Sequence, residues 1–120
     1  NQVVKFLSKQ KKIKEVLYPH KPHSKNYKNW KKYYSGSTGL LGLVIESKNK
    51  MSVYKFVNSL KLFGIGYSWG GFESLAVYQD IHREFTKYKR KNLHIVRLHI
   101  GLEDPKDLIY DIKKSLRFIK

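Results

Sequence analysis

The chain has 120 residues, 41% hydrophobic and 14% aromatic, which is enough for one modest core but not for the two-domain body of a larger metabolic enzyme. It has no cysteine, which excludes disulfides, thiolate metal sites and a cysteine nucleophile. The formal net charge of +16 would ordinarily indicate a nucleic-acid or anionic partner; here it is carried mainly by scattered lysines, with arginine only at Arg83, Arg90, Arg97 and Arg117. Arginine is the residue suited to bidentate phosphate and base contacts, so a diffuse lysine bias is the preferred reading and sequence-specific recognition of nucleic acid is not expected.

Residues 2–14 carry Val3, Phe6, Leu7 and Ile13 near helical spacing with lysines between them, which predicts one amphipathic helix. Residues 18–34 hold Pro19 and Pro22 and then cluster Tyr27, Trp30, Tyr33 and Tyr34, which predicts an irregular segment with a short helical turn whose aromatics serve as anchors. Residues 35–39 form a turn signal, and residues 40–46 an apolar run rich in Leu, Val and Ile that reads as a buried strand. A helix over residues 51–60 follows, with Val53, Phe56, Val57 and Leu60 on one face.

Residues 62–67 alternate, placing Phe63, Ile65 and Tyr67 on one face and Gly64 and Gly66 on the other, where something large approaches the backbone. Residues 68–71 read as a turn, 72–78 as a strand, 79–92 as a charged helix or loop, and 93–101 as a strand with Val96, Leu98 and Ile100 on one face. Asp104 and Pro105 supply an N-cap and a first-turn proline for a last helix, striped by Leu108, Ile109, Ile112, Leu116 and Ile119. The order predicts a single α/β domain, a sheet covered on one face by helices. No stretch is long and apolar enough to span a bilayer. With no signal-like segment at its start, and with Asn1 rather than Met opening it, the chain is expected to be a processed or truncated cytoplasmic protein without a membrane partner.

Gly66, Ser68 and Gly70 fit the G-x-S-x-G elbow of serine hydrolases, and Asp80 and His82 follow in order. An elbow needs a helix directly after the serine; Leu75, Val77 and Tyr78 announce a strand instead, so the motif is rejected. Residues 35–39 lack the Lys-Ser/Thr ending of a phosphate loop and precede a strand. His20 and His23 have no nearby carboxylate and read as solvated, and no metal site is assigned. His94 and His99 read as hydrogen-bonded fillers, and helix capping accounts for Asp104 in the pair Glu103-Asp104. Arg97 alternates out of the apolar row and projects to the opposite sheet face with His99, where spacing alone would leave it a solvated strand arginine.

Two blocks alter that reading: Tyr67-Ser68-Trp69-Gly70-Gly71-Phe72-Glu73-Ser74-Leu75, and Arg97-Leu98-His99-Ile100-Gly101-Leu102-Glu103-Asp104 followed by Asp107-Leu108. From about residue 18 onward the chain closely resembles the C-terminal domain of bacterial cystathionine beta-lyases, pyridoxal-phosphate enzymes of trans-sulfuration and methionine biosynthesis. Trp69 favours the beta-lyase branch over relatives with leucine there. The resemblance implies the small C-terminal domain of a fold-type I pyridoxal-phosphate enzyme, a mostly antiparallel sheet with helices on one side. It implies that Arg97 forks onto the α-carboxylate of a small amino-acid substrate, with Ser68 and Trp69 lining the same pocket. The grip would hold the Cα–H bond across the plane of the cofactor's conjugated ring.

In that family the Schiff-base lysine and the other cofactor-binding groups lie in a large domain earlier in the chain. No cofactor ligand or catalytic residue is therefore assigned here, and pyridoxal phosphate is expected in the full-length enzyme, a homo-oligomer, rather than on this chain alone. The missing large domain, or a companion chain carrying it, is the implied partner. The alternative is a remnant or split product surviving as a basic module for acidic partners or nucleic acid, to be told apart by the presence or absence of a companion reading frame encoding the large domain.

Overall fold

The computed structural model describes residues 1–80 and 91–120. In chain order these form α1 (Gln2–Leu7), β1 (Ile13–Leu17), α2 (Tyr27–Tyr33), β2 (Leu40–Glu46), α3 (Lys50–Ser59), β3 (Gly64–Ile65), β4 (Leu75–Gln79), β5 (Leu93–His99) and α4 (Pro105–Ser115), which ends in a 3₁₀ turn at Leu116–Phe118. Among the described residues the strands make one sheet in the order β1-β2-β5-β4-β3, antiparallel at every pairing except that of β3 with β4. The expected α/β class and the mostly antiparallel, helix-covered sheet are thus observed. The charged stretch expected at 79–92 lies largely outside the described residues.

Helices α1, α3 and α4 cover one face. Phe56 and Val53 from α3, Leu7 from α1, and Leu108 and Ile112 from α4 close over Leu43 and Ile45 of β2 and Val96 and Leu98 of β5, all fully buried. Burying such side chains stabilises by roughly 1.5–3 kcal/mol each, so this cluster is the main source of folding energy. The α4 start is as expected: Asp104 Oδ1 accepts from the Lys106 N–H at 2.7 Å, Pro105 opens the first turn and Asp107 follows in it.

Four expectations need correction. The single helix expected over 2–14 stops at Leu7, and Ile13 begins an edge strand. Ile13 pairs with Ile45 and Glu15 with Val44, so β1 carries an extra residue at Lys14; this bulge returns Val16 to the buried side three residues after Ile13, imitating helical spacing. The alternating row of 62–67 also breaks, because Phe63 is in the core while Ile65 and Tyr67 are exposed and β3 is only two residues long. The glycines there are approached by the Leu75 side chain. The strand expected over 72–78 begins at Leu75, with Phe72 exposed before it. Finally, Tyr33 and Tyr34 of the expected aromatic anchors are 68% and 66% exposed, and α2 buries no residue.

The link from α3 to β3 is held from a distance. Asp111 of α4, 6% exposed, accepts from the Lys61 N–H at 3.0 and 2.9 Å and from the Leu62 N–H at 2.8 Å. Removing this carboxylate leaves two backbone donors without their partner. Asp111→Ala is expected to lower urea-unfolding stability by roughly 1–3 kcal/mol, with Asp111→Asn between it and the parent because one carbonyl acceptor remains. Identical midpoints for all three proteins would show that water replaces the carboxylate without loss.

Candidate functional site

Strand β5 is paired on both edges, by β2 and β4, so its backbone groups are satisfied and its side chains alone decide what its two faces do. Val96 and Leu98 enter the core; Arg97 and His99 point the other way. Arg97 stands opposite Gly42 on β2 and Val77 on β4, and the Leu17 side chain of β1 packs over the glycine.

Arg97 Nη2 donates to the carbonyl oxygens of Gly66 at 3.4 Å, Tyr67, and Ser68 at 3.5 Å. The guanidinium carbon lies 5.9 Å from the Tyr67 ring centroid and 5.8 Å from that of Trp69, within cation–π range. Arg97, Ser68 and Trp69 are therefore brought together. It is the Ser68 carbonyl, however, that meets the arginine.

Two further residues hold the same loop. His99 Nε2 is 3.0 Å from the Gly71 carbonyl, which can only accept, so that nitrogen carries the proton; Nδ1 then accepts from the Gly70 N–H at 3.4 Å. Glu103 accepts from the Ser74 N–H and from the Ser74 hydroxyl, both at 2.8 Å, and Ser74 Oγ in turn accepts from the Gly101 N–H at 2.9 Å. A Cβ on Gly101 would stand 2.1 Å from the Phe72 carbonyl oxygen, so only glycine permits this approach. Gly70, at φ +82°, supplies the left-handed turn between the two tethers.

Residues 66–74 are thus largely irregular in backbone but tied at three places, by Arg97, His99 and Glu103. Sequence reasoning missed Glu103 and Ser74, because the neighbouring Asp104 cap seemed to account for the carboxylate pair. Burial works against charge on Glu103, but the Ser74 N–H, its own backbone N–H, the Ser74 hydroxyl and nearby His99 outweigh it and hold its carboxyl below the ordinary value.

The remaining candidates fall elsewhere. The next element after Ser68 is strand β4 rather than a helix, Asp80 pairs with Lys50 at 3.7 Å, and His82 lies outside the described residues, so the hydrolase elbow has no structural support. His94 is buried and bonds the Tyr78 hydroxyl and the Ser47 carbonyl, each at 3.0 Å, as a filler does. His20, expected to be solvated, instead stacks on Trp30 with ring centroids 4.0 Å apart, its Nδ1 buried. Among the described residues no group of three or more His, Cys, Asp or Glu could hold a metal ion, and no helix is long and apolar enough to cross a membrane.

The family model described as Cys/Met metabolism PLP-dependent enzyme matches residues 1–117. A cystathionine beta-lyase of Bordetella avium is 37% identical over 117 residues, covering 96% of this chain and 29% of that protein. The Haemophilus influenzae cystathionine beta-lyase is 34% identical over 125 residues, covering 98% and 31%. An L-alanine/L-glutamate racemase of Wolbachia pipientis is 35% identical, covering 96% and 29%. A crystal structure of a Campylobacter jejuni protein described as an O-acetylhomoserine (thiol)-lyase, with N'-pyridoxyl-lysine-5'-monophosphate at position 205, superimposes with a TM-score of 0.77 at 27% identity. It covers 96% of this chain and 26% of that one. The chain spans about 30% of the length of the curated relatives it matches.

The Glu103 tether makes stability depend on acid. Its folded carboxyl lies below its unfolded value, so its contribution is complete above the ordinary glutamate range near about 4.3 and is lost as pH falls through the lower folded value. Glu103→Gln is expected to melt lower than the parent at neutral pH, with the gap narrowing below about pH 4. A gap independent of pH would mean that the carboxylate charge contributes nothing.

Proposed function

The chain belongs to the Cys/Met metabolism PLP-dependent enzyme family, and on that premise we propose that it is the substrate-carboxylate domain of a pyridoxal-phosphate-dependent cystathionine beta-lyase. The full enzyme would convert cystathionine to homocysteine, pyruvate and ammonia. Arg97 grips the substrate α-carboxylate, and Ser68 and Trp69 form the wall beside it.

The observation that carries this reading is the state of the Arg97 guanidinium. Its Nη2 is fixed by three carbonyl oxygens and its face is flanked by two rings, while Nε and Nη1 take no hydrogen-bond partner among the described residues. A guanidinium held in this way is preorganised to offer its other donors to a carboxylate, a match lysine cannot reproduce. By their names, relatives containing the matched segment act on cystathionine, on alanine and glutamate, and on O-acetylhomoserine. These compounds share an α-amino carboxylate and differ in the rest, so a domain common to such proteins is suited to holding the shared group.

The groups touching Arg97 do not fit the family's cofactor. They are backbone carbonyl oxygens and the rings of Tyr67 and Trp69, with no amine to join an aldehyde. The cofactor belongs to the larger part of the family's chain, joined covalently or supplied as a companion. What this chain does is bind and orient: the carboxylate grip fixes the angle at which the reacting carbon is presented.

The test is a lyase assembled from this chain and that larger part, in trans or fused upstream of Asn1. Arg97→Lys keeps the charge and loses the fork, and both substrate affinity and turnover should fall, the combined loss being roughly 10- to 150-fold for a charge-assisted interaction of about 1.5–3 kcal/mol. Arg97→Ala should be worse. Arg117→Ala, at the exposed residue of the 3₁₀ turn, should be close to neutral. Normal kinetics for Arg97→Lys would remove the carboxylate assignment. The chain alone should take up no stoichiometric pyridoxal phosphate, and borohydride trapping on one unique lysine would contradict that.

A further inference from the structure

His99 takes no part in the carboxylate grip, yet it is buried beside it at 5% exposure. Its two ring nitrogens bond consecutive residues of the loop in opposite senses: Nε2 donates to the Gly71 carbonyl at 3.0 Å, and Nδ1 accepts from the Gly70 N–H at 3.4 Å. A carbonyl offers no hydrogen and an N–H no lone pair, so the neutral ring protonated at Nε2 is the form that meets both demands. Gly70 stands at φ +82°, and Trp69 just before it places its ring 5.8 Å from the Arg97 guanidinium carbon. The imidazole therefore holds the turn that presents the Trp69 side of the site.

Charges of both signs surround the ring. Its partners across the sheet, Leu40 of β2 and Leu75 of β4, are uncharged. Arg97, two residues earlier on the same face of β5, opposes a positive ring, whereas Glu103 attracts one. Asp104, the next carboxylate, is committed to the Lys106 N–H, and the titratable side chains of the loop itself, Tyr67 and Glu73, are exposed. A second proton has one vacant position, Nδ1, where it points at the Gly70 N–H, donor against donor. The result is a buried cation with a misdirected donor, an arrangement relieved when the loop lifts and water reaches the ring.

We infer that His99 is a positioning residue for the Trp69 side of the site, that it acts only as the neutral imidazole, and that a proton on Nδ1 breaks the bond to Gly70 and frees residues 69–71 from β5. Its bearing on substrate rests on the carboxylate reading; the attachment of the loop does not. Histidine is the side chain that ordinarily exchanges a proton between about pH 5 and 8. The other two tethers do not share this response. An arginine keeps its charge throughout that range, and Glu103, held below the ordinary carboxyl value, stays ionised across it. Acid within these limits thus releases the middle of the loop while residues 66–68 remain bonded to Arg97 and Ser74 to Glu103.

The experiment follows backbone 15N relaxation of the full 120-residue chain from about pH 8 to about pH 5, with the His99 ring nitrogens observed in parallel. At the alkaline end the amides of Trp69, Gly70 and Gly71 should show order parameters near about 0.85, typical of rigid backbone; at the acidic end they should fall below about 0.6, in step with protonation of the His99 ring. Residues 66–68 and Ser74 should stay rigid throughout. His99→Gln carries an amide donor and a carbonyl acceptor but gains no proton, and should show the same order at both ends of the range. His99→Phe makes neither bond and should leave residues 69–71 mobile at every pH. Unchanged order while the ring titrates would overturn the inference, as would a ring that takes up no proton by about pH 5, loosening that persists in His99→Gln, or loosening spread evenly over residues 66–74. The parent's own titration decides the matter even where a variant fails to fold. The carboxylate reading stands or falls on the Arg97→Lys kinetics, which this measurement does not use. Where both hold, substrate affinity of the assembled lyase falls toward acid in the parent and not in His99→Gln.

Discussion

The pleat of one fully paired strand governs this molecule. Because β5 has neighbours on both edges, its side chains have only two places to go, and the alternation sends Val96 and Leu98 under the helices while Arg97 and His99 emerge on the opposite face, beneath the loop of residues 66–74. The same hydrophobic burial that anchors the strand thereby sets the position and direction of the guanidinium. A slip of one residue in register would exchange the two rows, burying a charge and exposing the core. Site geometry and core packing are in this sense one constraint.

The loop that faces Arg97 has little secondary structure of its own to stabilise it, and its backbone polar groups are met from outside. Carbonyls at 66–68 accept from Arg97, Gly70 and Gly71 are bonded by His99, and Ser74 is held by Glu103. All three tethers come from β5 or the few residues after it. The loop's shape is therefore copied from the strand's position, and Trp69 is presented without needing to be buried. Arrangements of this type fix the course of a loop while leaving its aromatic rings in solvent.

The basic character of the chain bears on another part of the surface. The core helices carry their lysines on solvent faces, where isolated cations contribute little to stability. Around α2 the situation differs, because the lysines accompany rings that the core leaves unused. Diffuse charge and a local aromatic cleft are separate properties of the same sequence.

Much of the architecture was legible in the residues themselves. β2, α3, β5 and the capped start of α4 follow from apolar runs, one-sided periodicity and Asp104-Pro105, all signals local to a few residues. Arg97's exit from the core row followed from alternation alone, whereas its grouping with Ser68 and Trp69 was implied only by the family resemblance of two separated blocks. What tertiary structure decided were the features that depend on partners distant in sequence. The bulge at Lys14 gave β1 a helical spacing, and only pairing with β2 resolves it. β3 and the start of β4 were shortened because backbone groups near them bond Arg97 and Glu103 instead of a neighbouring strand. Whether the rings of α2 would anchor or stand free could not be read locally either, since an aromatic residue is buried only where another surface arrives to cover it, and among the described residues none covers Tyr33 or Tyr34.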